Sequence, residues 1–249
     1  MKSAHTLQKI CSPKSWAELP WGEYYRAELE QRIQPWWSKI FGFHLLKIGC
    51  LSAEISSASC PIAHQVNIGE QHNMQVIAHS WELPFAGKAV DGCLIAHELA
   101  YSIDPHSILR EIDRVLNDDG WLLVTYFNPI SLVGLGKLLP VIRHRQPHIS
   151  HLFSRIRLFE WLGMLNYEVI HHSCFQVLPW HRHGGKCIST HLPLLGCLGL
   201  MVARKRTIPL TLRRMGAGVQ SSVLSRAGGA VYSIFTSKGT PADEGGRGI

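Results

Sequence analysis

Residues 82–129, ELPFAGKAVDGCLIAHELAYSIDPHSILREIDRVLNDDGWLLVTYFNP, contain the signals of a strand, a helix and a second strand in that order. The runs 91–97 and 121–127 are short, apolar and bounded by turn residues, which is typical of buried strands. Between them, apolar residues recur with the period of an amphipathic helix that begins after Asp104 and Pro105. These apolar positions are Ile108, Leu109, Ile112, Val115 and Leu116. A β-α-β unit of this kind favours an α/β sandwich around a largely parallel sheet.

The same alternation extends to both sides of this stretch. Upstream, an aromatic-rich amphipathic helix is predicted from about Gly22 to Ile33, where Pro35 interrupts it before the first strand. The remaining predicted strands or extended segments cover 44–48, 63–68, 74–79, 167–178 and 197–205, and a second clear helix covers 157–165. We therefore expect helices on both faces of the sheet.

Most of the net charge of +7 lies in the C-terminal tail. From Ala203 onward, eight Lys and Arg residues face only Asp243 and Glu244, whereas residues 1–202 carry 17 basic and 16 acidic side chains. The part that is expected to fold is thus close to neutral. This distribution argues against a general nucleic-acid-binding protein.

Cysteine usage and hydropathy indicate a cytoplasmic protein. The seven cysteines are odd in number and include no CxxC pair, which favours reduced thiols over a disulfide framework. The N-terminus has no apolar region of the kind found in signal peptides, and the longest nearly apolar stretch, 192–203, is too short to span a bilayer. No transmembrane segment is predicted, and the oligomeric state cannot be read from the sequence.

The ordered series of motifs resembles the class I S-adenosylmethionine-dependent methyltransferases. Residues 82–129 carry most of the resemblance, and RLFEWLGMLNYEVI at 157–170 and LMVARKR at 200–206 continue it. The stretches YFNPIS at 126–131 and VLPWHRHGGK at 177–186 are similar to the type 11 group of that family. No single motif decides the match; it rests on their order over about 160 residues, from Phe43 to Arg206.

This resemblance implies a Rossmann-like sandwich with seven strands in the order 3-2-1-4-5-7-6, of which strand 7 is antiparallel. The expected division is a helical aromatic segment over 1–42, a methyltransferase-like domain over 43–206 and a basic, flexible tail over 207–249 that is rich in Gly, Ser and Ala. The cofactor, S-adenosyl-L-methionine, would lie across the carboxyl ends of strands 1 to 4.

At the first cofactor position the family has an acidic residue and a glycine-rich turn after strand 1. Here Lys47 stands at the acidic position and Gly49 matches the first glycine, but Leu51 and Ala53 replace later glycines. Ser52 remains as a small polar residue of the turn. The cofactor motif is therefore degenerate, and a positive φ at Leu51 would be strained.

The other expected contacts follow the same resemblance. Asn67, with Glu70 as the alternative acid, is expected at the ribose hydroxyls, and His79 at the adenine amino group. Further expected cofactor contacts are Leu83, beside the adenine, and Ala96, at the end of strand 4. His97 is the preferred general base, with a structural histidine as the alternative.

On the acceptor side we expect Tyr101, Asn128, Trp180 and His183. The histidines and cysteines between His171 and Cys187 match no spacing of a closed tetrahedral site, so no metal is predicted. The sequence thus predicts a methyltransferase that acts on a small molecule or another, unidentified acceptor.

Two alternatives remain at this point. The altered residues at 47, 51, 67 and 79 are also those expected of an inactive methyltransferase-fold binding protein. A nucleic-acid-directed protein is the least favoured alternative, and it would use five basic residues. These are Arg204, Lys205, Arg206, Arg213 and Arg214.

Overall fold

A seven-stranded sheet forms the centre of the structure, a computed structural model that describes residues 12–131, 152–176 and 195–206. The strands are β1 (His44–Ile48), β2 (His64–Gly69), β3 (Val76–Ile77), β4 (Val90–Ala96), β5 (Leu116–Phe127), β6 (Tyr167–Phe175) and β7 (Leu198–Lys205). Their order is β3-β2-β1-β4-β5-β7-β6, in which β1 to β5 are parallel and β7 is antiparallel to both neighbours. The predicted strand order is confirmed.

Helices cover both faces of this sheet. They are α1 (Gly22–Trp37), α2 (Cys50–Glu54), α3 (Glu98–Tyr101), α4 (Pro105–Val115) and α5 (Arg155–Met164), with a 3-10 turn at Trp16–Glu18. One buried cluster joins α4 and α5 to the sheet, and a second joins the 3-10 turn, α1 and α2 to the opposite face. The predicted α/β sandwich is therefore confirmed.

Helix α4 forms for the reasons that its sequence indicates. The Asp104 carboxylate accepts a hydrogen bond from the His106 backbone N–H at 3.0 Å, which caps the helix, and Pro105 occupies the first turn. Its apolar stripe, including Ile108 and Ile112, is fully buried against the sheet. Within the described ranges, no helix is both long and apolar enough to cross a membrane.

Helix α1 differs from its prediction, because it continues through Pro35 to Trp37. Leu29, Ile33 and Trp37 are four residues apart on one face and are all buried, and the Trp37 indole N–H donates to the Ser56 carbonyl at 3.2 Å. Burial of this face holds the last turn in place although proline removes one helical hydrogen bond. Strand β3 is also shorter than predicted, so His79 lies beyond it.

Candidate functional site

A cavity of about 650 Å³ opens at the carboxyl ends of β1, β2 and β4. Gly49 follows β1, Gly69 ends β2 and Glu98 begins α3 shortly after β4, and all three residues line the cavity. Strand order reverses between β1 and β4, since β2 and β3 lie on one side of β1 and β5 lies beyond β4. Ligands of open α/β sheets bind at such a reversal.

Gly49 is required by the geometry of the β1–α2 turn. Its φ is +89°, and a Cβ at this position would lie 2.5 Å from Oε2 of Glu98. Leu51 and Ala53 belong to α2, and Leu51 is buried in the core without a positive φ. The strain considered for Leu51 is therefore absent, and only the first glycine of the family's turn is sterically needed here.

Ser52 connects the ends of two strands through hydrogen bonds. Its buried hydroxyl donates to the Ile48 carbonyl and accepts from the Ala96 backbone N–H, the latter at 2.7 Å. These bonds join the end of β1 to the end of β4 through α2. Ser52 and Ala96 are thus placed beneath the cavity and do not line it.

The side chain of Lys47 is not directed into the cavity, as a cofactor contact would require. Its side chain is buried, and Nζ donates to the Ile55 carbonyl at 2.8 Å at the end of α2. Burial lowers the pKa of this ammonium, which Cys60 and Glu30 partly oppose. Lys47 does not line the cavity, so its charge does not face a ligand there.

The acid nearest the end of β2 is Glu70. Strand β2 runs to Gly69, and Glu70 lines the cavity as the next residue. Asn67 lies inside the strand, where it is paired in register with Lys47, and it does not line the cavity. Of the two residues considered for this position, Glu70 lines the cavity and Asn67 does not.

His79 and Trp81 form a layered pair beside Glu70. The rings of His79 and Trp81 are stacked with centroids 4.5 Å apart, and Nδ1 of His79 lies 2.9 Å from Oε1 of Glu70. Trp81 lines the cavity, whereas His79 supports it from outside. An aromatic face and an oriented carboxylate thus meet at one end of the cavity.

Glu98 lines the cavity but was not among the predicted site residues. Its carboxylate lies against Gly49, and Oε1 accepts a hydrogen bond from the Ser80 hydroxyl at 2.8 Å. Burial and then the charge of Glu98 raise the pKa of the neighbouring Cys50 thiol to about 11, so this thiol is neutral at pH 7. Its one signal in the sequence was its place directly after the predicted strand over 91–97.

His97, expected to be the base, is fully buried outside the cavity lining. Its ring stacks on Phe127 with centroids 4.0 Å apart and meets Trp16 edge-on at 5.5 Å. Burial lowers its pKa to about 3, so the ring is neutral. In this arrangement it cannot reach a ligand in the cavity.

The remaining predicted residues fall into three groups. Tyr101 lines the cavity. Leu83 is buried in the core, and Asn128 is buried with its amide donating to the Gly196 carbonyl at 2.9 Å, so neither lines it. Trp180 and His183 lie outside the described residues.

The histidines and cysteines after His171 and the basic residues from Arg204 onward do not line the cavity where the structure describes them. His172 on β6 lies 2.6 Å from the Tyr126 hydroxyl, and no group of three or more metal-ligating side chains occurs in the described part of the chain. Arg204, Lys205 and Arg206 pair with Asp119, Asp113 and Glu168, respectively. Arg213 and Arg214 fall beyond the ranges that the structure describes.

Comparison with known proteins identifies the family. A family profile described as a methyltransferase domain matches residues 42–124. YafS of Escherichia coli (strain K12), an uncharacterized protein, is 52% identical over 231 residues, which cover 92% of this chain and 96% of YafS.

Solved structures share the fold at low identity. A SAM-dependent methyltransferase from Archaeoglobus fulgidus matches with a TM-score of 0.51 and 16% identity, over 72% of this chain and 94% of that chain. The cyclase SpnF matches with a TM-score of 0.50 and 16% identity, over 71% of this chain and 81% of its own. Since both proteins have this fold, the fold alone does not define the chemistry. The chain belongs to the class I methyltransferase family, in the type 11 group, as a relative of YafS.

Proposed function

We propose that this chain is an S-adenosylmethionine-dependent methyltransferase that binds its cofactor in the cavity between β1, β2 and β4. The observation that supports this most is the pair of carboxylates, Glu70 and Glu98, which line the cavity with Gly49 at the reversal of strand order. The volume of about 650 Å³ is within the range of small-molecule sites.

The charges that line the cavity suit a cofactor with two cationic groups and one carboxylate. The cofactor carries a positive sulfonium and an ammonium, and Glu98 beside Gly49 supplies negative charge for them. Glu98 thereby takes over the role of the acid that the family has at position 47. Lys14, which also lines the cavity, suits the cofactor's carboxylate.

Glu70 and Trp81 suit the nucleoside part. A carboxylate accepts from two hydroxyls at once, and the contact with His79 fixes the orientation of Glu70. The indole of Trp81 offers a flat face to adenine. In this proposal His79 acts indirectly, through Glu70 and Trp81, instead of contacting the adenine amino group.

The chain's contribution to the reaction is chiefly to orient the reactants. S-adenosylmethionine, when bound, supplies an electrophilic methyl group on positively charged sulfur. In-line displacement depends on positioning, which the rigid ends of β1, β2 and β4 provide. The raised pKa keeps the Cys50 thiol protonated, so that this cavity-lining side chain does not compete as a nucleophile.

Calorimetric titration with S-adenosylhomocysteine tests the binding part of this proposal. We expect micromolar affinity for the wild type and a loss of about 10- to 100-fold in Glu70→Gln, because a charged hydrogen bond is removed. Glu82→Gln is the matched control, since Glu82 is exposed and does not line the cavity. No binding of wild type up to millimolar concentration would refute the proposal.

A methyltransferase-fold binding protein is the second candidate, because the predicted base His97 is sealed in the core. Transfer of a labelled methyl group from S-adenosylmethionine to the small-molecule fraction of a cell extract distinguishes the two. The methyltransferase proposal predicts a labelled product that Glu70→Gln diminishes. Tight cofactor binding without any labelled product in that fraction would favour the binding protein.

A further inference from the structure

His97 is a buried polar side chain whose surroundings do not satisfy it. The ring is 0% exposed, and neither Nδ1 nor Nε2 has a hydrogen-bond partner among the described residues. Its φ of +57° is also uncommon for a residue with a side chain. Buried polar atoms of native proteins are nearly always paired, so two unpaired ring nitrogens at a strand end point to a missing ligand.

The ring of His97 contacts two aromatic side chains, Phe127 and Trp16. Phe127 stacks on His97, and Tyr25 packs edge-on against the same Phe127 at 6.3 Å between centroids. The Tyr25 hydroxyl is buried as well and has no partner within the described ranges. The side chains around Phe127 are thus aromatic, and their polar groups are a neutral imidazole and one phenol.

Trp16 packs against the ring of His97. The indole is fully buried, its N–H donates to the Leu51 carbonyl at 2.9 Å, and its edge contacts the imidazole. Trp16 belongs to a three-residue 3-10 turn, whereas the residues that precede it, Ser12 and Lys14, line the cavity. The same short segment therefore contacts both the cavity and His97.

We propose that the space held by the Trp16 indole is the acceptor site, which opens when the 3-10 turn swings away. This inference rests on the proposed function and names its substrate class: a planar, uncharged molecule with a hydroxyl or N–H group. Such a molecule replaces the indole's aromatic contacts and donates its hydrogen bond to a ring nitrogen of His97. A carboxylate or phosphate is disfavoured, because a neutral imidazole in an apolar pocket does not compensate its charge.

Methyl transfer at this site needs no reagent besides the acceptor, S-adenosylmethionine and His97. A lone pair on the acceptor's oxygen or nitrogen forms the new bond to the methyl carbon, and the sulfur–methyl bond breaks with its electron pair retained by sulfur. The acceptor's proton passes to the ring nitrogen of His97 that accepted its hydrogen bond, and from there to solvent through the opened turn, so that no charge stays in the apolar pocket. His97 thereby regains the role of base once the turn has opened.

Hydrogen exchange of two indole N–H groups tests the opening in the wild-type, full-length chain. Trp37 is the internal control, because its indole is also buried and also donates to a backbone carbonyl, that of Ser56. We expect the Trp16 N–H to exchange at least 100-fold faster than that of Trp37, through local opening. Equal exchange of both indoles would show that Trp16 is a core anchor and would overturn the proposal.

A probe titration tests the acceptor class. With S-adenosylhomocysteine present, indole at millimolar concentration is expected to shift the His97 imidazole resonances and to speed exchange at Trp16, while benzoate does neither. No response to indole, or the same response to benzoate, would overturn the acceptor site even if S-adenosylhomocysteine binds. Failure of S-adenosylhomocysteine itself to bind would overturn the proposed function and this inference together.

Discussion

Substitution of Gly49 by alanine is expected to disturb both the fold and the cavity. The backbone at Gly49 has φ +89° and ψ 157°, a conformation that costs a residue with a side chain about 1–3 kcal/mol. The new methyl carbon would also lie 2.5 Å from Oε2 of Glu98, so that carboxylate must move. Displacing it weakens its hydrogen bond from Ser80, which as a charge-assisted bond contributes about 1.5–3 kcal/mol.

Together these effects are expected to lower the free energy of unfolding by roughly 2.5–6 kcal/mol, a large part of the total for a domain. Urea denaturation measures this change. The affinity for S-adenosylhomocysteine is expected to fall by about tenfold or more in the same variant, because Glu98 leaves its position.

Gly163→Ala is the matched control, since it makes the same chemical change on helix α5. A Cβ at Gly163 meets no atom within 4 Å, so alanine is expected to stabilise the protein by about 0.5–1 kcal/mol through its helix propensity. If Gly49→Ala proved as stable as wild type and bound S-adenosylhomocysteine equally well, the geometry assigned to the β1–α2 turn would be refuted.

Three further predictions concern buried polar groups. Ser52→Ala is expected to lower the free energy of unfolding by about 1–3 kcal/mol, because it leaves the buried Ala96 N–H unpaired. Ser107→Ala removes a hydrogen bond that is only partly buried and is expected to lower it by less. Equal losses of both variants in urea denaturation would contradict this. Tyr25→Phe is expected to stabilise the protein by about 1 kcal/mol, because it removes a buried hydroxyl without a partner in the described residues. Tyr126→Phe is expected to destabilise it, because the Tyr126 hydroxyl contacts His172. A lower unfolding temperature in both variants would contradict the assignment of the Tyr25 hydroxyl as unpaired. Because burial lowers the pKa of His97 to about 3, the unfolded chain takes up a proton first as pH falls below the ordinary histidine value, and stability is lost across that interval. From pH 7 to pH 5 the wild type should lose about 2 kcal/mol more than His97→Asn in urea titrations, and parallel pH profiles would show that His97 is not neutral in the fold.

The fold was predictable where local signals and burial agree. Helix α4 has its cap at Asp104 and a continuous apolar stripe, and both were evident from spacing alone. Helix α1 was predicted to end before Pro35, because the burial of Trp37 that extends it depends on contacts with residues around Ser56. Local propensity does not include such tertiary contacts.

The candidate site was predicted less well, because it depends on strand ends and side-chain directions. Successive residues of a strand point to opposite faces, and Lys47 is thereby directed toward Ile55 instead of the cavity. A shift of three residues separates Asn67 from Glu70, which lies just past the end of β2. Glu98 comes close to Gly49 only when β4 is placed beside β1, which no sequence spacing shows.

The most direct test of the cofactor site compares the two cofactor forms in the Glu98→Gln variant by calorimetry. We expect that affinity for S-adenosylmethionine falls about tenfold more than affinity for S-adenosylhomocysteine, because only the former carries a positive charge on sulfur for Glu98 to stabilise. Glu70→Gln should weaken both alike, since both carry the same ribose. If Glu98→Gln bound both ligands as tightly as the wild type does, Glu98 would not contact the cofactor's positive charge and the assigned cofactor site would be contradicted.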